Sequence, residues 1–403
     1  MRVVCAPDKL RGSLDAAEAA AALAAGVRAA GGTPVEHPLA DGGEGSRHTV
    51  QAARGGRVVS VDTVDALGRP AKASFGCLDD GTALVEAAES IGWAGPAAGP
   101  SADEHDVLRA SSAGLAAPLL EAVRQGARRI IVFLGGTATM DGGTGLLASL
   151  GAEVLDADGN PLAGSGADLA RIASVDLAPA RRRLAGVDLV VAADVMSPLY
   201  GPDGAAHVFG PQKGASPDHI ELLDDGLRRL APLLGVGSAD GGGAAGGLGA
   251  ALLALGAELV PGAHLIRQLT HFDSHLATAD LCLTAEGKVD AGTDAGKTVR
   301  AVVDACAANS VPCVVLGGTL TPDADRLYAH GAAAVLPIGT GPRDLDTALR
   351  HTAADLTRTA YAVCRLAMTM TKTKTKTKTK TKTKTKTKTK TAREPQNSGN
   401  LLR

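Results

Sequence analysis

The sequence has 403 residues, of which 45% are hydrophobic, 21% are charged and 2% are aromatic. This apolar fraction suffices for a packed core and excludes a wholly disordered chain, while the length allows two domains or one large one. The net charge of −2 is uneven, because residues 369–403 hold ten Lys and two Arg against one Glu, which gives this tail +11 and leaves −13 on residues 1–368.

The N-terminal segment is interpreted as a β-strand followed by a helix. Residues 2–6 form an apolar run that is too short for a signal peptide. Ser13 is a favourable N-cap, and the acidic residues Asp15 and Glu18 suit the positive end of a helix. We expect this helix to end at about Ala30, because two glycines follow it.

The same pattern of a short apolar run followed by glycines or acids recurs along the chain. It occurs at residues 2–6, 130–134, 189–193, 281–284 and 311–316. Segments of helical period lie between these runs, among them residues 109–126 and 298–309. Alternating short strands and helices predict an α/β fold with mainly parallel sheets, in which ligands bind at the carboxyl ends of the strands.

The basic tail is a simple repeat, since residues 371–390 are Thr-Lys repeated ten times. A helix would stack its like charges at i,i+4, and a strand would place every Lys on one face, so we expect residues 369–403 to be disordered. A basic tail can attach to anionic lipid or nucleic acid, and a binding module acting through it stays an alternative. No aromatic or arginine pattern accompanies the repeat, and we predict no specific nucleic-acid partner.

The six cysteines form no C-x-x-C pair and have no histidines at metal spacing. They are interpreted as small buried apolar residues of a protein in the reducing cytoplasm. No stretch approaches the roughly 20 apolar residues of a membrane span. We therefore expect a cytoplasmic location and no membrane span, while the sequence specifies no oligomeric state.

Acidic and basic residues lie in or beside the glycine and turn clusters. The acids are Asp8, Asp41, Glu44, Asp141, Asp194, Glu286 and Asp290. The bases are Lys9, Arg11, Lys213, Lys288 and Lys297. One such acid alone is usually a turn former or N-cap. Several together with glycine-rich loops and cations are typical of phosphoryl transfer, which uses carboxylates for Mg²⁺ and for proton acceptance.

Three competing motifs lack support. Residues 292–298 resemble a P-loop, but only three residues separate its glycines where the Walker motif has four. This segment can still form an anion site at a helix N-terminus that includes Lys297. No G-x-G-x-x-G follows a strand and no G-x-S-x-G occurs, so a nicotinamide site and a serine nucleophile are both poorly supported.

Seven segments in chain order resemble the type 1 glycerate kinase family. They are residues 6–13 (APDKLRGS), 40–45 (ADGGEG), 135–143 (GGTATMDGG), 193–195 (ADV), 209–214 (FGPQKG), 243–249 (GAAGGLG) and 286–290 (EGKVD). The resemblance covers about residues 2–365. Lys9, Arg11 and Met140 depart from it, since they stand where Ser, Lys and Asn are common in the family.

The resemblance implies a kinase that uses ATP and Mg²⁺ to phosphorylate glycerate, typically at its 2-hydroxyl. It also implies two α/β domains with the active site in the cleft between them. One would be Rossmann-like with a mainly parallel sheet and consist of residues 1–72 plus 285–368, and the other would be an inserted α/β domain of residues 73–284. The alternatives are a hydroxy-acid oxidoreductase or another small-acid-binding protein on a similar α/β scaffold.

Chemical reasoning suggests roles for individual residues within this resemblance. Asp194 is the first candidate for the base that accepts the hydroxyl proton, and Asp290 is the second. Arg11 and Lys288 would meet the substrate carboxylate or the phosphates. Mg²⁺ ligands are expected among Asp8, Asp41, Glu44 and Asp194. Substrate or phosphate contacts are expected from Asp8, Lys9, Gly135, Gly136, Thr137, Ala138, Gly142, Gly143, Lys213, Gly246, Gly247, Glu286 and Lys297.

Overall fold

A computed structural model describes residues 1–92, 106–194, 196–237, 240–294 and 297–391, the side chains of 294 and 371–391 excepted. Three predicted features therefore lie partly outside the described residues, namely Val195 of the 193–195 segment, residues 295–296 of the 292–298 segment, and residues 392–403 of the tail.

The strands are β1 (Arg2–Cys5), β2 (Thr33–Glu36), β3 (Arg57–Val64), β4 (Pro70–Cys77), β5 (Thr82–Glu86), β6 (Arg129–Phe133), β7 (Glu153–Asp156), β8 (Ile172–Asp176), β9 (Asp188–Ala192), β10 (Glu258–Val260), β11 (Leu281–Val289), β12 (Cys313–Leu320) and β13 (Ala332–Pro337). The α-helices are α1 (Ala16–Ala29), α2 (Ser46–Arg54), α3 (Ala88–Ile91), α4 (Ala116–Arg124), α5 (Thr144–Ser149), α6 (Ala178–Arg183), α7 (Ala205–Phe209), α8 (Pro217–Leu234), α9 (Leu248–Ala254), α10 (Gly262–Leu269), α11 (Phe272–Leu276), α12 (Ala291–Asp294), α13 (Thr298–Ala308), α14 (Arg326–Ala329) and α15 (Leu345–Thr391). Short 3₁₀ helices span Ser112–Leu115, Ala167–Ala170, Pro211–Lys213, Ala244–Gly247 and Pro322–Asp325.

Two large sheets organise the molecule. The smaller has the order β13-β12-β11-β1-β2, and every neighbouring pair is parallel. The larger has the order β10-β9-β6-β5-β4-β3 and is parallel except for the pairs made by β4. Strands β7 and β8 form a separate antiparallel pair. The predicted α/β fold with mainly parallel sheets is confirmed.

Successive side chains of the central strands point to opposite faces of the sheet, and this divides the apolar core into layers. In β1, Val3 and Cys5 face a cluster with α1 and α15, whereas Val4 faces the opposite side. That opposite cluster also takes Ile131 of β6 and Val190 of β9, so one apolar layer joins both sheets. Phe272 of α11 packs into the same layer, so apolar contacts hold the two sheets together.

The predicted domain boundaries fall inside strands. The 72/73 boundary lies within β4 and the 284/285 boundary within β11. Backbone hydrogen bonds hold each strand in one sheet. Domain boundaries that follow the sheets would therefore fall between residues 37 and 56 and between residues 261 and 280. The division into two domains itself stays a prediction.

Helix α1 ends near Ala30 as predicted, but its N-cap is Asp15 rather than Ser13. Asp15 Oδ1 accepts the Glu18 N–H at 2.8 Å, and the Asp15 N–H donates to Glu18 Oε2 at 3.0 Å. This reciprocal capping box satisfies two backbone donors at once. The Ser13 hydroxyl instead donates to the Leu10 carbonyl, because residues 10–14 form a turn of their own.

Helix α15 crosses α1 closely and covers the outer face of the smaller sheet. A Cβ at Gly26 would collide with the Thr357 carbonyl oxygen, so glycine is required at the crossing. The Thr357 hydroxyl also donates to the Ala22 carbonyl at 2.9 Å. The backbone of α15 then continues to Thr391, which differs from the predicted disorder of the 369–403 tail. A helix that packing has already nucleated gains one backbone hydrogen bond with each further residue.

Among the described residues, no helix combines the length and the apolarity needed to cross a bilayer.

Candidate active site

The carboxyl ends of the smaller sheet open into a cleft of about 710 Å³. The carboxyl-terminal residues of β11 and β12 line it, together with residues that follow β1, β2, β11 and β13 and the first turns of α15. Parallel sheets bind ligands at this edge, where the strands stop and loops present backbone and side-chain groups. The cleft-lining residues that the sequence predicted are Asp8, Lys9, Arg11, Asp41, Glu286, Lys288, Asp290 and Lys297.

Asp8 follows β1 and is fixed by the start of α13. Its Oδ2 accepts the Thr298 hydroxyl at 2.6 Å, and its Oδ1 accepts the Lys9 N–H at 2.6 Å. Burial raises the pKa of Asp8, and the negative charge of Asp41 raises it further. Thr298, which sequence reasoning missed as a site residue, therefore orients a buried carboxylate at the cleft.

Lys9 links the β1 loop to the loop that carries Asp41. Its Nζ lies 3.5 Å from Asp41 Oδ1 and donates to the Glu44 carbonyl oxygen at 3.1 Å. Burial alone would raise the pKa of Asp41, but Lys9, the Gly43 N–H and the charge of Arg11 outweigh it, so the pKa is lowered. Asp41 is thus held as a carboxylate, and Lys9 has a defined structural partner.

Asp194 follows β9 of the larger sheet and comes close to these carboxylates. Its Oδ1 accepts the Ala263 N–H at 3.4 Å, while its buried Oδ2 has no hydrogen-bond partner among the described residues. Burial raises the pKa of Asp194 to about 7, with further increases from the charges of Asp41 and Asp8. A carboxyl group with this pKa changes protonation near neutral pH, as a general base requires.

Backbone contacts hold the Asp41 loop beside Asp194. A Cβ at Gly42, whose φ is +83°, would lie 2.8 Å from the Gly262 Cα, and a Cβ at Gly262 would collide with the Asp41 carbonyl oxygen. Gly262 begins α10, and its neighbour Ala263 donates to Asp194. Three carboxylates, from both sheets, are therefore brought together at the junction of the two sheets.

Strand β11 contributes a second acidic group with a raised pKa. Burial raises the pKa of Glu286 to about 7, although the Thr293 hydroxyl donates to its Oε2 at 2.8 Å. Asp290 differs, because its ion pair with Lys288 at 2.9 Å lowers its pKa. A carboxylate with a lowered pKa is a weaker proton acceptor, so the directions of the two pKa shifts favour Asp194 over Asp290 as the candidate base.

The start of the glycine loop of residues 135–143 contacts the loop that carries Asp41 and Glu44. A Cβ at Gly135 would collide with the Gly43 Cα, which brings the start of this loop against the Asp41–Glu44 segment. Further along, backbone N–H groups bind within the protein: Ala138 donates to the Ile91 carbonyl at 2.9 Å and Gly142 to the Gly246 carbonyl at 3.0 Å. Predicted phosphate donors at these two positions are thus engaged internally.

The buried side chain of Lys213 stabilises the glycine loop of residues 135–143. Its side chain is buried, and Nζ donates to the Thr139 carbonyl at 2.8 Å and contacts the Thr137 hydroxyl at 3.4 Å. Burial lowers the pKa of Lys213 to about 7. It is not among the residues that line the described cleft, so its contact with a phosphate stays a prediction.

One ion pair in the cleft was missed in the sequence analysis. Arg343 Nη1 lies 3.0 Å from Asp355 Oδ2, and both residues line the cleft from the segment around the start of α15. Two glycines, Gly339 and Gly341, follow β13 and precede Arg343, but Asp355 lies within α15 with no such pattern, and the packing of α15 against the smaller sheet brings the two side chains together.

Comparison with known proteins identifies related chains. The model of the glycerate kinase family matches residues 3–368. A glycerate kinase of Bacillus subtilis (strain 168) is 37% identical over 370 residues, which cover 89% of this chain and 96% of that protein. A glycerate 2-kinase of Escherichia coli (strain K12) is 36% identical over the same shares. The crystal structure of a protein assigned as glycerate kinase 2 from Salmonella typhimurium LT2 is similar with a TM-score of 0.78 at 36% identity, covering 92% of this chain and 99% of that one.

Proposed function

This chain belongs to the glycerate kinase family and is a phosphotransferase, and we propose that it transfers the γ-phosphoryl group of ATP to the 2-hydroxyl of D-glycerate. The observation that carries the proposal is the junction of Asp8, Asp41 and Asp194 beside a cleft that also holds several cations. Phosphoryl transfer requires a proton acceptor, carboxylates for a metal, and cations for the phosphates in one place.

The carboxylates suit Mg²⁺, which prefers oxygen ligands. Asp8 and Asp41 are candidate ligands, and Oδ2 of Asp194, which has no hydrogen-bond partner among the described residues, offers a third oxygen. Bound with ATP, Mg²⁺ would neutralise charge on the β- and γ-phosphates. Glu44 stays a predicted ligand, since its described contact in the site is the backbone oxygen that accepts Lys9.

In the proposed mechanism, Asp194 accepts the hydroxyl proton as the hydroxyl oxygen attacks the γ-phosphorus and ADP leaves. Arg11, Lys288 and Lys297 line the cleft and would bind the carboxylate of glycerate or the phosphate oxygens. These cations matter more in a body whose residues 1–368 carry −13, because the overall field repels both anionic substrates.

The function is tested with purified protein, ATP, Mg²⁺ and D-glycerate in a coupled assay of ADP release. Phosphorus NMR of the product distinguishes 2-phosphoglycerate, the expected product, from 3-phosphoglycerate. No ADP release above the rate without glycerate would contradict the kinase proposal, and a 3-phosphoglycerate signal would contradict the position. The oxidoreductase alternative requires an absorbance change with NAD and glycerate, and we expect none.

We expect kcat/KM for glycerate to rise with pH through about 7, because Asp194 accepts a proton only when ionised and its raised pKa is about 7. Below that pH, activity should fall by about tenfold per unit as the protonated form accumulates. Glu286 has a similar pKa, so Glu286→Gln is the matched control. It should keep the acidic limb of the profile even where the rate is lower, and loss of the limb in this variant would assign the titration to Glu286.

Deleting residues 371–403 is expected to leave kcat and KM for glycerate within about twofold of the full chain. The described cleft residues all precede this segment, the last being Asp355. Steady-state kinetics of both forms make the comparison, and residues up to 370 are kept because Met368 packs against the core. A loss of more than about tenfold would support a role of the tail in binding.

We also propose a cytoplasmic location. All six cysteines are free, and five of them are buried. Thiols that remain reduced are typical of a reducing compartment.

A further inference from the structure

Three cysteines that lie far apart in the sequence meet in the core of the smaller sheet. The sulfurs of Cys282, Cys306 and Cys313 all lie within 4.8 Å of one another, and all three residues are buried. Cys282 and Cys313 are directly opposite each other in the register of β11 and β12, and Cys306 approaches from α13. We call this group the trithiol cluster.

The trithiol cluster lies at the end of the sheet opposite to the active-site cleft. Cys282 is the second residue of β11 and Cys313 is the first of β12, whereas the cleft opens where these strands end. None of the three cysteines lines the described cleft. Any ligand of the cluster is therefore distinct from glycerate or ATP.

The surroundings of the cluster are apolar and carry no net charge. All three cysteines belong to the buried layer that joins the two sheets. The charged groups that act on Cys306 are Arg267 and Asp273, which lie 3.5 Å apart and offset each other. Within the described residues, this group of candidate metal-binding atoms consists of the three sulfurs, with no histidine or carboxylate as a fourth.

We propose that the trithiol cluster binds a three-coordinate thiophilic metalloid, with trivalent arsenic as the matching chemistry. Soft thiolate ligands select soft metal centres. Arsenous acid would react with three thiols to give one arsenic trithiolate and three water molecules. Three As–O bonds break, three As–S bonds form, each thiol proton leaves in water, and no oxidation state changes.

The net charge of the bound complex favours trivalent arsenic over a divalent metal ion. The arsenic trithiolate is neutral, whereas three thiolates on Zn²⁺ or Cd²⁺ leave a net charge of −1 in an apolar layer, which is unfavourable. Zn²⁺ also takes four ligands in structural sites, and this cluster offers three. The number of sulfurs and the neutral product therefore point to the same class of ligand.

Interaction among the thiols supports a shared site. Hydrogen bonds with the other two thiols lower the pKa of Cys306, and the bond to Cys306 raises the pKa of Cys282. The sulfurs thus already point towards one another, and little rearrangement is needed before they bind a common atom.

A ligand can reach the buried trithiol cluster only when the protein opens locally, and the loop between α13 and β12 is suited to such an opening. Residues 309–312 connect Cys306 to Cys313, and Asn309 and Ser310 are exposed. Ser310 has a φ of +57°, a conformation that is unfavourable for a non-glycine residue. Short exposed segments of this kind open more readily than core strands, so loading should be slow in buffer and faster in mild denaturant.

The test is binding of arsenite to the full chain in a low concentration of urea, followed by gel filtration in buffer. We expect one arsenic per chain by mass spectrometry and an ultraviolet As–S charge-transfer band. Cys306→Ala and Cys282→Ala should lose both signals, while Cys364→Ala, which removes a buried thiol outside the cluster, should keep them. Circular dichroism and kinase activity check that each variant is folded.

Two results would overturn the proposal. One is a wild-type chain that retains no arsenic after exposure in urea, and the other is equal retention by wild type and Cys306→Ala. A competition arm with Zn²⁺ tests the choice of ligand, since displacement of arsenic by equimolar Zn²⁺ would show a four-coordinate site instead. The binding readout does not depend on kinase activity, so its failure leaves the proposed function untouched.

Discussion

Replacing Asp194 with asparagine is expected to lower kcat by about 10²–10⁴-fold while KM for glycerate changes little. The amide keeps the shape of the side chain but cannot accept the hydroxyl proton. The expected loss is large because burial and two neighbouring carboxylates raise the pKa of Asp194 to about 7, which matches a proton acceptor at neutral pH.

Asp290→Asn is the matched control, because Asp290 was the other candidate base in the sequence. Its ion pair with Lys288 lowers its pKa, so this substitution should reduce kcat far less. The coupled ADP-release assay compares both variants. A nearly inactive Asp290→Asn beside an active Asp194→Asn would transfer the role of base to Asp290.

Stability separates lost chemistry from lost folding in Asp194→Asn. The pKa of Asp194 is raised in the folded state from its ordinary value of 3.8 to about 7, so this group destabilises the fold increasingly as the pH rises from about 4 to about 7, and the full loss is present above that range. Asparagine removes this repulsion from Asp41 and Asp8. The thermal midpoint at pH 8 should therefore equal or exceed that of the wild type, and a marked decrease would attribute the lost activity to unfolding.

The layered fold could be predicted because its signals are local. Short apolar runs that end in glycines or acids marked β1, β6, β9, β11 and β12, of which β1, β11 and β12 position the cleft and β9 leads to Asp194. Sheet membership depends on contacts distant in sequence, and for that reason the predicted 72/73 boundary separates β3 and the first three residues of β4 from the rest of their sheet. The N-cap of α1 was displaced by two residues, because Ser13 and Asp15 are both good caps and only the turn at residues 10–14 distinguishes them.

The site residues could be predicted as candidates but not ranked. Asp141 and Asp194 look alike in the sequence, since each follows an apolar strand and lies near glycines or small residues. In the fold, one carboxylate oxygen of Asp194 has no partner among the described residues, whereas Asp141 is fully buried and saturated with hydrogen bonds. The trithiol cluster shows the same limit, because Cys282 and Cys306 are 24 positions apart and only the docking of α13 on β11 brings them together.

Asp141→Ala is expected to have the largest effect on stability, a loss of about 3–5 kcal/mol of unfolding free energy. The reason is that both oxygens of the Asp141 carboxylate accept buried hydrogen bonds. Its Oδ2 accepts the Ser112 N–H and hydroxyl, both at 2.7 Å, and the Gly145 N–H at 3.1 Å, while its Oδ1 accepts the Gly143 N–H at 3.1 Å. Alanine leaves these four buried donors without an acceptor.

Urea denaturation followed by circular dichroism measures this loss. Asp62→Ala is the control, because Asp62 is an exposed carboxylate paired with Lys72 on the surface of β3 and should change the unfolding free energy by less than about 0.5 kcal/mol. Asp141→Asn should fall between the two, since its carbonyl oxygen can still accept from Ser112 while its amide group cannot accept from Gly143. An unfolding midpoint of Asp141→Ala equal to that of Asp62→Ala would contradict a structural role, and Asp141 would then have to be weighed again as a candidate for the chemistry of the cleft.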